Sequence, residues 1–259
     1  MFFDWLKRRR RDKILQQPWD PTWTRVLERN VAAWASLNTE EQEHLQQLVQ
    51  VLVAEKHWEG AGGLELTDEH VVTVAGQACL LVLAIPHDLY RRVESIVIYP
   101  AAMKAPARTL GMFEVSGEVA DRGLPLLGQA FVRGPVLFSW EAVRKGGRNA
   151  EDGHNVVFHE FAHKLDMLSG HADGVPPLDD KDLYARWVDV FQREWEALHA
   201  DQERGRRTFL DGYAGTNAAE FFAVVTEHFF EQGRTMQRKH AELYEVLQAF
   251  YRQDTAARG

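Results

Sequence analysis

Only one cysteine, Cys79, occurs among the 259 residues, so no intrachain disulfide can form. Its place in the apolar run Val71–Ile85 marks it as a small buried hydrophobe rather than a reactive thiol. A reducing compartment is therefore permitted. The chain also lacks any run of about 18–20 apolar residues, which excludes a spanning helix. It lacks a basic excess as well. A net charge of −8 and a pI of about 5.8 argue against a dedicated nucleic-acid coat. The basic cluster Lys7–Arg11 with Lys13 is not followed by the apolar segment of a signal peptide, because Gln16, Gln17, Pro18 and Asp20 interrupt at once. A cytoplasmic location is the resulting expectation. Internal repeats and low-complexity tracts are absent.

What is present suits one globular domain: 45% hydrophobic and 11% aromatic residues can bury a sizeable core. Residues 1–20 read as a basic, solvated, partly disordered tail, although the aromatic-then-basic order leaves contact with an anionic membrane or a partner open. Residues 21–259 read as a single domain in three blocks. The first, 21–86, is helical. Trp23, Val26, Leu27, Asn30, Val31 and Trp34 fall at three- and four-residue spacings, a capping box follows Asn38, and a third segment opens at Thr67 and closes before Pro86. The second, 90–140, carries β-branched runs at Val93–Tyr99 and Gly128–Trp140 and reads as a small sheet. The third, 149–252, returns to helices, near Asp182–Ala200, Ala218–Glu231 and Met236–Arg252, with a loop at Ser169–Asp180. Helix, sheet and helix in sequential blocks predict an α+β fold.

One stretch carries chemistry: VVFHEFAHKLD, Val156–Asp166. On a helix, His159 and His163 stand one turn apart on one face and can aim two imidazole nitrogens at a single point. Glu160 projects about 100° further round, beside an ion rather than among its ligands. That is the mechanical content of H-E-x-x-H. Three fixed residues also arise by chance, and an ordinary buried helix is the competing reading. The apolar flanks favour a metal, because buried imidazoles need partners. A catalytic zinc usually takes three protein ligands. His171, Glu220, Glu227 and His228 are the candidates for the third. The extended H-E-x-x-H-x-x-G-x-x-H pattern fails, since Asp166 and Ser169 stand where glycine and histidine are required. Glu220 lies in the otherwise apolar AAEFFAVVTEHFFE, and ligation gives it a reason to be there; a helix-start or salt-bridge role is the alternative. Glu227 shares its face.

HEFAHKLD, DGVPPL and YAGTNAAEFFAVVTEHFF, taken in order, resemble the Mlc titration factor A family of bacterial zinc peptidases over roughly residues 15–250. The site layout alone also looks like the catalytic domain of anthrax lethal factor. The resemblance implies a gluzincin-type, zincin-like metallopeptidase fold and one zinc ion. It implies His159, His163 and Glu220 as metal ligands, Glu160 as catalytic base and Tyr213 as the tyrosine over the metal. Without the resemblance, Tyr213 reads equally well as a loop aromatic covering a helix start. The family further implies binding of the glucose-responsive repressor Mlc; a non-catalytic protein that titrates a regulator is the alternative function.

Further supporting positions follow from the residues themselves. Asp166 and Glu227 are candidates to accept the outer ring N–H of a ligand histidine, a plain helix-end salt bridge being the alternative for Asp166. Gly134–Trp140 either forms an edge strand that pairs with an extended peptide or simply packs the core. His154 reads as a residue at the rim.

Overall fold

The computed structural model describes residues 2–85, 88, 90–104, 125–126, 128–130 and 134–258. Its architecture is α+β: helices surround a small mixed sheet.

The N-terminal block is helical for legible reasons. Helix α2 (Pro21–Asn30) starts with proline in its first turn, where a missing N–H costs nothing, and Asp20 accepts the Thr22 N–H. Helix α3 (Thr39–Glu55) has the expected capping box: the Asn38 side chain accepts the Glu41 N–H, and the Glu41 carboxylate accepts the Asn38 N–H. Helix α4 (Asp68–Leu80) is buried along its whole length from Val72, which explains its lack of a polar face. Pro86, expected to close that segment, lies outside the described residues. The stripe read through residues 22–36 divides at Val31: α2 ends and a 3-10 turn spans Ala32–Ser36.

The segment expected to be a tail is a helix, α1 (Phe2–Leu15). Its Arg11 reaches Glu55 of α3 at 2.7 Å, and Lys7 pairs with Asp88. Two acidic partners from distant segments, invisible to local pattern, fix it.

The sheet runs β1-β2-β6-β5, with strands β1 (His57–Gly60), β2 (Ser95–Tyr99), β5 (Gly128–Ala130) and β6 (Val136–Ser139). The pairs β1/β2 and β2/β6 are parallel, and β5 runs antiparallel to β6 with Gly128 opposite Phe138. A separate antiparallel pair joins β3 (Met103–Lys104) to β4 (Pro125–Leu126). The placement of β6 decides between the two readings of Gly134–Trp140 in favour of core packing. Val136–Ser139 is an interior strand, hydrogen-bonded on both sides, and Val136 and Phe138 are buried in the core. It cannot offer an edge to a peptide; Pro135 precedes the ladder and so disturbs nothing. Among the described strands the edge beside β6 belongs to β5. Phe131, Val132 and Arg133, and the interval 105–124, lie outside the described residues.

The C-terminal block comprises α5 (Trp140–Arg148), α6 (Val156–Asp166), α7 (Lys181–Glu203), α8 (Ala218–Glu231), α9 (Gly233–Lys239) and α10 (Ala241–Tyr251). The single helix expected near Met236–Arg252 is broken at His240, whose backbone (φ −135°, ψ 58°) leaves the helical region. Helices α6 and α8 pack face to face, α4 supports α6 from behind, and α10 backs α7 and α8. Phe161, Phe221, Phe222, Phe229, Tyr251 and Trp187 are fully or almost fully buried between these layers. No helix among the described residues is long and apolar enough to cross a membrane.

Candidate metal centre

Helix α6 begins at Asn155, whose side-chain oxygen accepts the N–H groups of Val157 and Phe158, each at 3.0 Å. Val157, Phe158, Phe161, Ala162 and Leu165 turn into the core, which leaves His159 and His163 stacked on the remaining stripe. Helix α8 begins at Asn217, whose side-chain oxygen accepts the Glu220 N–H at 3.0 Å. That cap fixes the first turn of α8, where Glu220 faces the two imidazoles.

The three side chains converge. His159 Nε2 lies 3.0 Å from Glu220 Oε2, His163 Nε2 lies 3.4 Å from the same oxygen, and the two Nε2 atoms are 3.2 Å apart. Ligand atoms held at about 2.1 Å in tetrahedral geometry stand roughly 3.4 Å from one another. The triangle thus has the dimensions of a cation's ligand set. Its chemistry agrees: two imidazoles and one carboxylate, all largely withdrawn from solvent.

The outer side of His159 is also occupied. Its Nδ1 lies 2.8 Å from Glu227 Oε1, and Glu227 Oε2 accepts the Asn155 N–H at 2.5 Å. Glu227 therefore ties the α6 cap to the imidazole and accepts a hydrogen bond from its Nδ1–H, which leaves the Nε2 lone pair for the triangle.

Electrostatics favour positive charge at this point. Burial opposes protonation of His159, but the carboxylates of Glu227 and Glu220 overcome it and hold the ring well above its ordinary pKa. Burial likewise opposes ionisation of Glu220, but hydrogen bonds from His159 and His163 outweigh it and hold the carboxylate well below its usual range. A pocket that binds a proton this firmly suits a cation in its place.

Glu160 is buried next to the triangle, and burial raises its pKa despite the two imidazoles nearby. Its side chain lies against Gly128 of β5: a Cβ built there would stand 2.7 Å from Glu160 Oε1 and 2.8 Å from its Cγ. Tyr213 sits in a 3-10 turn, Gly212–Gly215, held by Asp211 accepting the Tyr213 N–H at 2.7 Å. Its ring centroid is 6.0 Å from that of His159. Burial, then the charges of Glu220 and Glu160, keep the phenol protonated far above neutral pH.

A family model described as glucose-regulated metallo-peptidase M90 matches residues 4–252. The chain belongs to the M90 family. Among its relatives, the Synechocystis protein slr2042 is 35% identical over 251 residues, covering 96% of this chain and 89% of that protein. Mlc titration factor A of Yersinia pestis is 29% identical over 242 residues, covering 91% and 86% respectively.

Other candidates lie off the centre of this M90 chain. Asp166 does not reach His163. Its Oδ2 accepts the Gly174 N–H at 2.9 Å, and its Oδ1 is buried with no hydrogen-bond partner. A 3-10 turn follows at once, and the carboxyl anchors the loop Ser169–Asp180 rather than an imidazole. His171 is exposed on that loop. His228 is buried with its ring nitrogens facing the carbonyls of Val224 and Phe209. His154 is exposed, 3.8 Å from Asp211. Sequence reasoning missed Asn155, Asn217 and Gly128. The two asparagines carried a signal, each standing directly before an apolar helical run. Gly128 carried none, because only the packing of β5 on α6 brings it to Glu160.

Proposed function

We propose that this M90-family protein is a zinc-dependent peptidase that cleaves peptide bonds with His159, His163 and Glu220 as ligands and Glu160 as base. The observation that carries the reading is the 3.0, 3.2 and 3.4 Å triangle with Glu227 on the far nitrogen of His159. Zinc held there supplies Lewis acidity and a water acidic enough to lose its proton near neutral pH. Glu160, buried and with its pKa raised, would take a proton from the attacking water on its carboxylate and pass it to the departing amine. Tyr213, fully protonated at neutral pH, donates its O–H to the oxyanion that develops on the scissile carbonyl. Glu227 keeps His159 in one tautomer throughout. An extended substrate would lie along β5, beside Glu160, rather than along β6.

The test is metal analysis of the purified protein, followed by hydrolysis of chromogenic amino-acid and peptide substrates with and without chelator. Glu160→Gln is expected to retain the metal and to lose at least about 100-fold in rate. Cleavage at the wild-type rate would remove Glu160 from the mechanism.

A second role rests on the relative named Mlc titration factor A. We propose that the chain also binds a repressor of the Mlc type. Capture of such a repressor by Glu160→Gln protein is expected to match wild type; loss of capture would tie binding to catalysis.

A further inference from the structure

Helix α1 concentrates charge. Its 14 positions hold six of the chain's 30 basic residues and two of its 38 acidic ones. One side is fastened down. Arg11 binds Glu55 at 2.7 Å and Asp88 at 3.2 Å, Lys7 pairs with Asp88, and Ile14 packs on the core. Gln50 of α3 donates to the carbonyl oxygens of Ile14 and Gln17 at 3.0 and 2.9 Å. The other side faces out. Arg8, Arg9, Arg10 and Lys13 are exposed, and none joins an ion pair among the described residues. Three of the five large exposed hydrophobics among the described residues share this helix: Trp5 at 52%, Leu6 at 43% and Leu15 at 39%. The Arg9 guanidinium lies 5.2 Å over the Trp5 ring.

We propose that α1 docks this protein on the surface of an anionic lipid bilayer, with the helix axis in the plane of the membrane. The arginines would meet phosphate headgroups, while Trp5 and Leu6 enter the interface. A bilayer surface offers both chemistries at once. A nucleic-acid backbone answers the arginines but leaves exposed Trp5 and Leu6 without an apolar phase to enter. The tethering of Lys7 and Arg11 presents the outer face as one rigid patch, so little ordering entropy is lost on docking. Few apolar side chains are available, so attachment is reversible and depends on salt.

The experiment is flotation of the full chain with vesicles of phosphatidylcholine alone or mixed with phosphatidylglycerol. Binding is expected only to the mixed vesicles and is expected to fade with added salt. Each lost arginine should weaken partitioning about fivefold. The R8E/R9E/R10E variant should thus stay in the buffer. A second variant, W5S/L6S, should bind more weakly while retaining its salt dependence. Circular dichroism and Tm matching wild type exclude unfolding as the cause. The proposal falls if wild-type protein ignores anionic vesicles, if R8E/R9E/R10E floats as well as wild type, or if duplex DNA binds more tightly than the vesicles.

Discussion

At the scale of single residues, the centre separates three groups that could hold a metal from one that orients an imidazole. His159, His163 and Glu220 make the triangle, so His163→Ala is expected to lose both metal and hydrolysis, read by metal content and rate. Glu227 touches no metal position; it holds His159 from behind at 2.8 Å. Glu227→Ala should therefore raise the metal Kd about 10–100-fold in competition with a chromogenic chelator, while the protein stays folded. An unchanged Kd would reduce Glu227 to a structural link between α6 and α8. The two orienting candidates looked alike in sequence, because Asp166 and Glu227 both fall on the right helical stripe. The chain beyond them divided their roles: α6 ends at Asp166, which turned to Gly174, whereas α8 continues past Glu227 and pins it on Asn155 and His159.

At the scale of elements, two helix caps and one strand set the aim of the side chains. Asn217 fixes the turn that carries Glu220. Asn217→Ala should lower stability by about 1 kcal/mol in urea titrations. It should also weaken metal binding, since Glu220 loses its fixed backbone. Gly128 lets β5 approach α6. Gly128→Ala would force a Cβ into Glu160 and Val156, within 2.6–2.8 Å. The expected result is a stability loss of about 1–3 kcal/mol with a fall in kcat that exceeds any change in metal content. Retained kcat would show that Glu160 relaxes freely. Helices α6 and α8 were legible from their apolar runs and length, although their caps, Asn155 and Asn217, were passed over. Helix α5 and strand β1 were not, being only nine and four residues long. Their identity comes from what they pack on: α5 on α4 and α6, β1 on β2.

At the scale of the whole molecule, buried ionisable groups tilt stability with pH. Glu231 lies one turn beyond Glu227 with both carboxylate oxygens buried, and burial pushes its pKa up to about 9. In an unfolded chain it titrates near about 4.3. The folded state therefore binds more protons than the unfolded state between roughly pH 5 and 9, and stability falls as pH rises through that window. Asp166, raised to about 6 mainly by burial, acts in the same sense over a narrower range. Lys56 and Lys164, both lowered to about 8 by burial, act in the opposite sense only above pH 8. Urea midpoints measured from pH 5 to 8 should therefore decline, and Glu231→Gln should flatten the decline. A slope unchanged in that variant would place the proton elsewhere.

The sequence by itself determined the α+β class, the two helices of the centre and the residue types that meet there, because helical period and cap chemistry are local properties. Tertiary structure alone decided which strand is the edge, which carboxylate holds His159 and where the basic N-terminal segment lies. Each of these depends on partners tens of residues away, such as Glu227 for His159, Glu55 for Arg11 and Ile96 for Val136. No local pattern encodes a contact whose other half is brought up only when the layers close.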